Sequence, residues 1–231
     1  MRVTLALIIA GVLSRIYYFP ETRQPPLTIC KNTQHYDFII TGGAGFIGSH
    51  LVRHIKKVQS SARVLVIDNF SRGSLINLRD IKNISIIDGD LRDAQVCADY
   101  ICNADTVYHL ADVVAGIGYI FQHQAEVFHD NVLINTNVLH ACTTAGIRNY
   151  IYVGTACSYP KTLQMTYDIV TLNEQQTYPA MPESSYGWSK LMGEYEADLA
   201  SAEAKMNVSV IRLHNVYGPG KKCFPQNIHS L

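Results

Sequence analysis

The 231-residue sequence has no C-x-x-C pair, no block of like charges and no low-complexity tract. Without paired cysteines at short spacing, a zinc knuckle or a dithiol redox motif is excluded; Cys97 and Cys102, five apart, match neither. The six cysteines (Cys30, Cys97, Cys102, Cys142, Cys157, Cys223) are expected as free thiols, mostly packed as small apolar side chains. The nine histidines also lack metal-ligand spacing, so no metal is expected. Lys plus Arg and Asp plus Glu number 19 each, which leaves no basic surface for nucleic acid. Nor does any apolar run reach the roughly 20 residues of a membrane span.

The nearest approach to such a run is Val3 to Leu13, preceded by Arg2. It has the length of a signal-peptide or signal-anchor core, with "SRIYYF" (residues 14–19) as an interfacial extension, but no small-residue cleavage site follows. An extension without targeting value fits equally. "PETRQPP" (Pro20 to Pro26) cannot hold a helix and reads as a linker. Residues 1–36 are therefore taken as leader and linker. The expected location is cytoplasmic by default, or secretory and membrane-anchored if residues 3–19 act as a signal-anchor. Export would make Asn83-Ile84-Ser85 and Asn207-Val208-Ser209 glycosylation acceptors.

From Tyr36 the pattern becomes regular. Short continuous apolar runs at 36–41, 63–68, 83–88, 105–111, 149–155 and 208–213 read as strands. Helical spacing follows the first run at Ile47, Leu51, Ile55 and Val58, and recurs over 130–145 and 185–204. Continuous apolar strands alternating with helices predict an α/β fold with a doubly wound parallel sheet, ordered 3-2-1-4-5-6. This Rossmann-type domain is expected over 37–220.

"TGGAGFIGSH" (Thr41 to His50) stands where strand one gives way to a helix. Gly42 and Gly45 allow a tight turn and a close backbone approach to a pyrophosphate, and Gly48 allows the helix to pack on the sheet. The helix start at Phe46 and Ile47 offers unpaired N–H groups to that phosphate. Asp68 closes strand two where a ribose-binding carboxylate belongs, with Asn69 beside it. A carboxylate there favours NAD over NADP; Arg72 is the one residue nearby that favours NADP.

"YGWSK" places Tyr186 and Lys190 on one helix face. An ammonium and a positive nicotinamide together stabilise phenolate, so Tyr186 is the candidate base. A second Y-x-x-x-K, Tyr217 to Lys221, runs through Gly-Pro-Gly and cannot share a helix face. Strand five ends in "VGTACSYP"; Thr155 at its tip is the candidate bridge between substrate oxygen and Tyr186, with Ser158 as a substitute. Cys157, two residues on, reads from its position alone as a packed thiol.

"TGGAGFIGSHL", "DNFSRGS", "GDLRD", "HLAD", "YGWSK" and "HNVYGPG" together resemble the NAD-dependent nucleotide-sugar epimerase/dehydratase family of extended short-chain dehydrogenases, from Phe38 to about Gly220. The resemblance implies that Asp90 and Leu91 contact adenine and that Ala111 lies along the cofactor. It further implies that Asn131 stands near the strand-five site, that Thr155, Tyr186 and Lys190 are the catalytic set, and that Asn215 reaches substrate phosphate. "GTACSYPK", "AGIGYI" and "YPAMPESSYGWSK" are similar to GDP-mannose 3,5-epimerases and GDP-fucose synthases, where the loop cysteine is an acid/base. That adds Cys157 to the catalytic candidates.

Two departures stand out. Gly220, Lys221 and Lys222 do not match the second acid/base position of those enzymes, which puts two-carbon epimerisation in doubt. Relatives also continue well past Y-G-P-G, so residues 221–231 are expected to begin a truncated substrate domain. The resemblance implies a homodimer and a GDP- or UDP-linked sugar substrate. The expected activity is NAD-dependent epimerisation or dehydration through a transient keto-sugar. A UDP-glucuronate decarboxylase-like enzyme and a catalytically silent dinucleotide-binding fragment are the alternatives.

Overall fold

The computed structural model describes residues 30–164 and 171–219. The leader to residue 29, Lys221, Lys222, Cys223 and the expected start of a substrate region at 221–231 lie outside the described residues.

Six strands form one parallel sheet: β1 (Tyr36–Thr41), β2 (Val64–Asp68), β3 (Ile84–Asp88), β4 (Ala104–His109), β5 (Asn149–Thr155) and β6 (Asn207–Leu213). Their order is β3-β2-β1-β4-β5-β6, as the alternation predicts. The connecting helices are α1 (Phe46–Val58), α2 (Ala94–Tyr100), α3 (Ile117–Gln122), α4 (Gln124–Thr144) and α5 (Ser185–Ala204). The helix expected over 130–145 thus starts earlier, at Gln124. The short helices α2 and α3 were absent from the sequence reading, because neither spans enough turns to show an apolar period.

Successive strand residues face opposite sides of a sheet, and the cores follow that rule. Ile39, Leu65, Ile67 and Val107 join Val138, Leu139 and Cys142 of α4 on one face. Ile40, Val64 and Val66 meet Val52 and Ile55 of α1 on the other. Every residue of β2 is buried, which explains its unbroken apolar run. At the far side, α5 packs so closely on β5 that a Cβ on Gly193 would lie 2.4 Å from the Tyr152 hydroxyl.

One polar chain crosses this interior. Thr41 Oγ1 accepts from the amides of Leu110 (3.2 Å) and Ala111 (3.3 Å), so its own proton points to His109 Nδ1 at 2.7 Å. His109 Nε2–H then donates to Asn135 Oδ1 at 3.0 Å, and Asn135 Nδ2 donates to the Ser189 carbonyl. The chain ties β1, β4, α4 and α5 together and fixes a neutral imidazole. Burial, aided by the Lys190 charge, pushes His109 down to about 3.

The expectation of six free thiols fails at one pair. Cys30 and Cys102 form a disulfide, while Cys97, Cys142 and Cys157 are free. Around the bridge, Lys31 N–H donates to the Asp99 carbonyl, Asn32 Nδ2 to the Tyr100 carbonyl and Asn103 Nδ2 to the Asn32 carbonyl. The segment before β1, from Cys30, is therefore docked on the domain. This attachment sits at the amino ends of the strands, opposite the site described below.

Two outcomes follow. Replacing both Cys30 and Cys102 by serine should lower unfolding free energy by about 2–4 kcal/mol in oxidising buffer, read by urea denaturation; equal midpoints before and after replacement would remove the bridge. Between the ordinary imidazole value and about 3 the unfolded chain binds a proton that buried His109 does not, so stability falls as pH falls. From pH 7 to 4.5 the native protein should lose about 2–3 kcal/mol more than His109→Gln, and parallel pH curves would refute the assignment.

Candidate active site

The carboxyl ends of β1, β4 and β5 and the start of α5 bring the candidate residues to one end of the sheet. At β1 the chain turns through Gly42, whose φ of +67° suits glycine. A Cβ there would stand 2.8 Å from the Ala111 nitrogen, and one on Gly48 would stand 2.3 Å from the Gly42 carbonyl oxygen. No side chain caps the first turn of α1, whose N-cap is Gly45. Its leading N–H groups have no side-chain cap among the described residues and carry the positive end of the helix dipole. The sequence-predicted Gly42, Gly45, Phe46, Ile47 and Gly48 thus form a cradle of the kind that admits a pyrophosphate.

Asp68 has a role inside that cradle. Its carboxylate accepts from the Ala44 amide and from the Phe70 amide, each at 2.9 Å, and so holds the glycine loop to β2. Burial moves its carboxyl up from the ordinary range. Each oxygen retains acceptor capacity for a ribose hydroxyl. Asn69 Oδ1 accepts from the Ser71 amide and its side chain reaches Asp90. The Arg92 guanidinium holds the Asp90 carboxyl down at about 2, and the same arginine pairs with Asp130. Leu91 is buried, its carbonyl accepting from Asn137 Nδ2. Asp90 and Leu91 lie on the loop after β3, at the same end of the sheet as the cradle.

The catalytic candidates converge around a residue that the sequence reading passed over. Lys190 Nζ donates to the Val153 carbonyl at 2.8 Å and stands 2.9 Å from Asp112 Oδ2. It also lies 4.8 Å above the Tyr152 ring. The side chains of Lys190 and Asp112 are 3% and 2% exposed, so this is a buried ion pair. Asp112 also faces the Tyr186 hydroxyl, as does Thr155. Without the nicotinamide charge, Lys190 alone does not bring the phenol toward neutrality. Burial, with Asp112 and then Cys157, raises the phenol well above its ordinary value. The ammonium that should favour phenolate is balanced by a carboxylate next to it.

Thr155 Oγ1 accepts from the Cys157 amide at 3.2 Å, which shapes the single 3₁₀ turn Ala156–Ser158. That turn abuts α5, where a Cβ on Gly187 would lie 2.2 Å from the Cys157 carbonyl oxygen. Cys157 is exposed rather than packed, in contrast to the reading from its position alone. Ser158 is buried with no hydrogen-bond partner among the described residues. Asn131 is buried and does not face open space. Its Oδ1 accepts from the Val113 amide and its Nδ2 donates to the Val113 carbonyl, so it pins the loop carrying Asp112. Asn215 is exposed just beyond β6. From there the chain curls over α1, where His50 bonds the Pro219 carbonyl.

A cleft of about 380 Å³ beside α1 is lined by Phe46, His50, Arg53 and Pro219 and by none of the catalytic candidates. His35, Asp37 and Asp105 come within reach of one ion at the opposite end of the sheet. Their carboxylates are already committed, Asp105 to Arg148 and His35, Asp37 to Arg63.

Known proteins share this arrangement. The chain is 30% identical over 180 residues to GDP-mannose 3,5-epimerase 1 of Oryza sativa subsp. indica, covering 78% of this chain and 46% of that protein. It is 33% identical over 190 residues to UDP-arabinose 4-epimerase 1 of Arabidopsis thaliana, covering 78% and 43%. Among solved structures it superposes on a UDP-glucose 4-epimerase of Thermus thermophilus in complex with NAD, with a TM-score of 0.69 and 26% identity over 82% of this chain and 58% of that one. A similar match is the dTDP-glucose 4,6-dehydratase DesIV of Streptomyces venezuelae, with a TM-score of 0.69 and 26% identity over 79% and 56%. The chain spans about half the length of the curated relatives it matches. With residues 38–230 matching the family profile, it belongs to the NAD dependent epimerase/dehydratase family.

Proposed function

We propose that this chain binds NAD and contributes the oxidising half of a nucleotide-sugar epimerase or dehydratase. The observation that carries the reading is the continuity of the site. The uncapped start of α1, the Cβ-free cradle and Ala111 lead directly to Tyr186, Thr155 and Lys190. Gly42, Gly45, Phe46, Ile47 and Gly48 would hold the pyrophosphate. Asp68 with Asn69 would hold ribose, and Asp90 and Leu91 would flank adenine. When bound, NAD supplies the hydride acceptor. Tyr186 would take the proton of a sugar hydroxyl that Thr155 would align. A ketone formed there would acidify its neighbouring C–H, and exposed Cys157 would move that proton. Relatives named for GDP-, UDP- and dTDP-sugars support a nucleotide-sugar substrate, with Asn215 at its phosphate.

The same reading includes a homodimer. Trp188, Met192, Tyr195 and Leu199 lie at helical spacing on α5 and are 40–59% exposed. Such a stripe is an interaction face rather than a solvated one. As to compartment, no helix among the described residues is long and apolar enough to cross a membrane. The Cys30–Cys102 bridge favours an oxidising compartment over the cytoplasmic default.

Calorimetry should show NAD binding to the native chain, and Gly48→Val should weaken it at least a hundredfold because the new side chain meets the Gly42 carbonyl. With a panel of GDP-, UDP- and dTDP-sugars, Tyr186→Phe should abolish turnover while leaving NAD bound. Tight NAD binding without turnover of any sugar would favour the silent dinucleotide-binding alternative; no NAD binding would end the proposal. Sedimentation should give a dimer that Tyr195→Glu converts to monomer, whereas a monomeric native chain would reject the α5 interface.

A further inference from the structure

Asp112 has no part in the chemistry proposed above, yet it is the most costly side chain in the site. Its carboxylate is buried, and neither oxygen has an aligned hydrogen-bond donor among the described residues. Lys190, at 2.9 Å, Tyr186 and the Val113 amide all face it. An ionised acid buried under such terms is retained only against a substantial desolvation penalty.

Its position suggests the reason. Gly42 abuts Ala111 directly, and Asp112 is the next residue. On the reading above, a dinucleotide with its phosphates at the start of α1 and its reactive ring at Tyr186 passes along Ala111 and ends beside Asp112. The two charges of the pair are not placed alike. Lys190 is drawn back against β5, bonded to the Val153 carbonyl and seated over the Tyr152 ring. Asp112 follows Ala111 directly in the chain. On this reading Asp112, rather than Lys190, is the end of the pair nearer the ring. Other titratable groups near it are neutral or farther back. His109 on β4 is held uncharged, Tyr152 on β5 and Tyr186 on α5 are held protonated by burial, and Glu194 is paired with Arg212. Cys157, on the turn after β5, carries the exposed thiol of the group.

The oxidised nicotinamide ring carries one positive charge, and the reduced ring none. We infer that Asp112 is a charge selector that makes this site prefer oxidised over reduced dinucleotide. The inference rests on the proposed NAD site. It adds a positioning charge that no step of the reaction consumes. It also accounts for a phenol left protonated in the free protein, since arrival of the positive ring beside Asp112 offsets the charge that opposes Tyr186 ionisation.

The test is a comparison of NAD and NADH affinities by calorimetry at pH 8 and fixed ionic strength. Asp112→Asn should weaken NAD at least tenfold and change NADH by no more than about threefold, while Asp112→Glu keeps a near-native ratio. General damage to the fold would weaken both nucleotides together and leave the ratio unmoved. A native ratio in Asp112→Asn overturns the inference, and so does an equal loss in the Glu variant. Should the Asn variant not fold, the unmodified protein decides the matter. Its preference for NAD should shrink as pH is lowered through the Asp112 titration, which burial moves up from the ordinary carboxylate range. A preference that stays constant down to the lowest pH at which the protein remains folded overturns it. If the native chain binds neither nucleotide, the NAD reading itself fails and this inference falls with it; if it binds both without the expected change, only the role of Asp112 is lost.

Discussion

The structure depends on how closely the glycine loop approaches the end of β4. Gly42 meets the Ala111 backbone at a distance that excludes any Cβ, and Gly48 meets the Gly42 carbonyl in the same way. Those contacts set the depth of the cradle and the angle at which α1 leaves the sheet. They also decide what can stand beside the cradle. Because Ala111 is fixed against the loop, the next residue turns inward, and the chain places a carboxylate there. Phosphate binding and the electrostatics of the phenol are thus linked by two consecutive residues.

Polar groups hold this geometry from several directions. Asp68 ties the loop to β2 through the Ala44 amide, and Asn131 ties the 112–114 segment to α4 through both groups of Val113. The Thr41–His109–Asn135 chain carries the same constraint through the core to α5, one residue from Lys190. A buried polar chain with every partner supplied specifies one arrangement, whereas apolar packing alone tolerates small slips. The cost is sensitivity to acid, since His109 can take a proton only by losing its acceptor role toward Thr41.

Much of this was legible in the residues. Strand runs such as "VLVID" announced themselves because both faces of a central parallel strand are buried, and "TGGAGFIGSH" announced its turn because only glycine suits it. Tyr186 and Lys190 were legible because four residues make one turn of helix. The disulfide was not, since Cys30 and Cys102 are 72 residues apart and meet only when the segment before β1 docks beneath α2. The bonds of Asn131 to both backbone groups of Val113 were not legible either, because sequence position does not show which way an amide points. Asp112 was overlooked for a related reason. The motif "HLAD" directed attention to Ala111 as a cofactor wall, and an acid one step further on reads as a loop residue until its burial is seen.

That burial changes how the catalytic pair should be understood. Tyr186 and Lys190 at i and i+4 are commonly read as a base and the cation that activates it. Here the cation is balanced before any ligand arrives, by a carboxylate 2.9 Å away and by the Val153 carbonyl. The free protein consequently holds a resting phenol, with its proton opposed in leaving by Asp112. On the proposed reading, activation comes from the charge that the cofactor brings. Binding of a positive ring and release of the phenol proton are then parts of one electrostatic event.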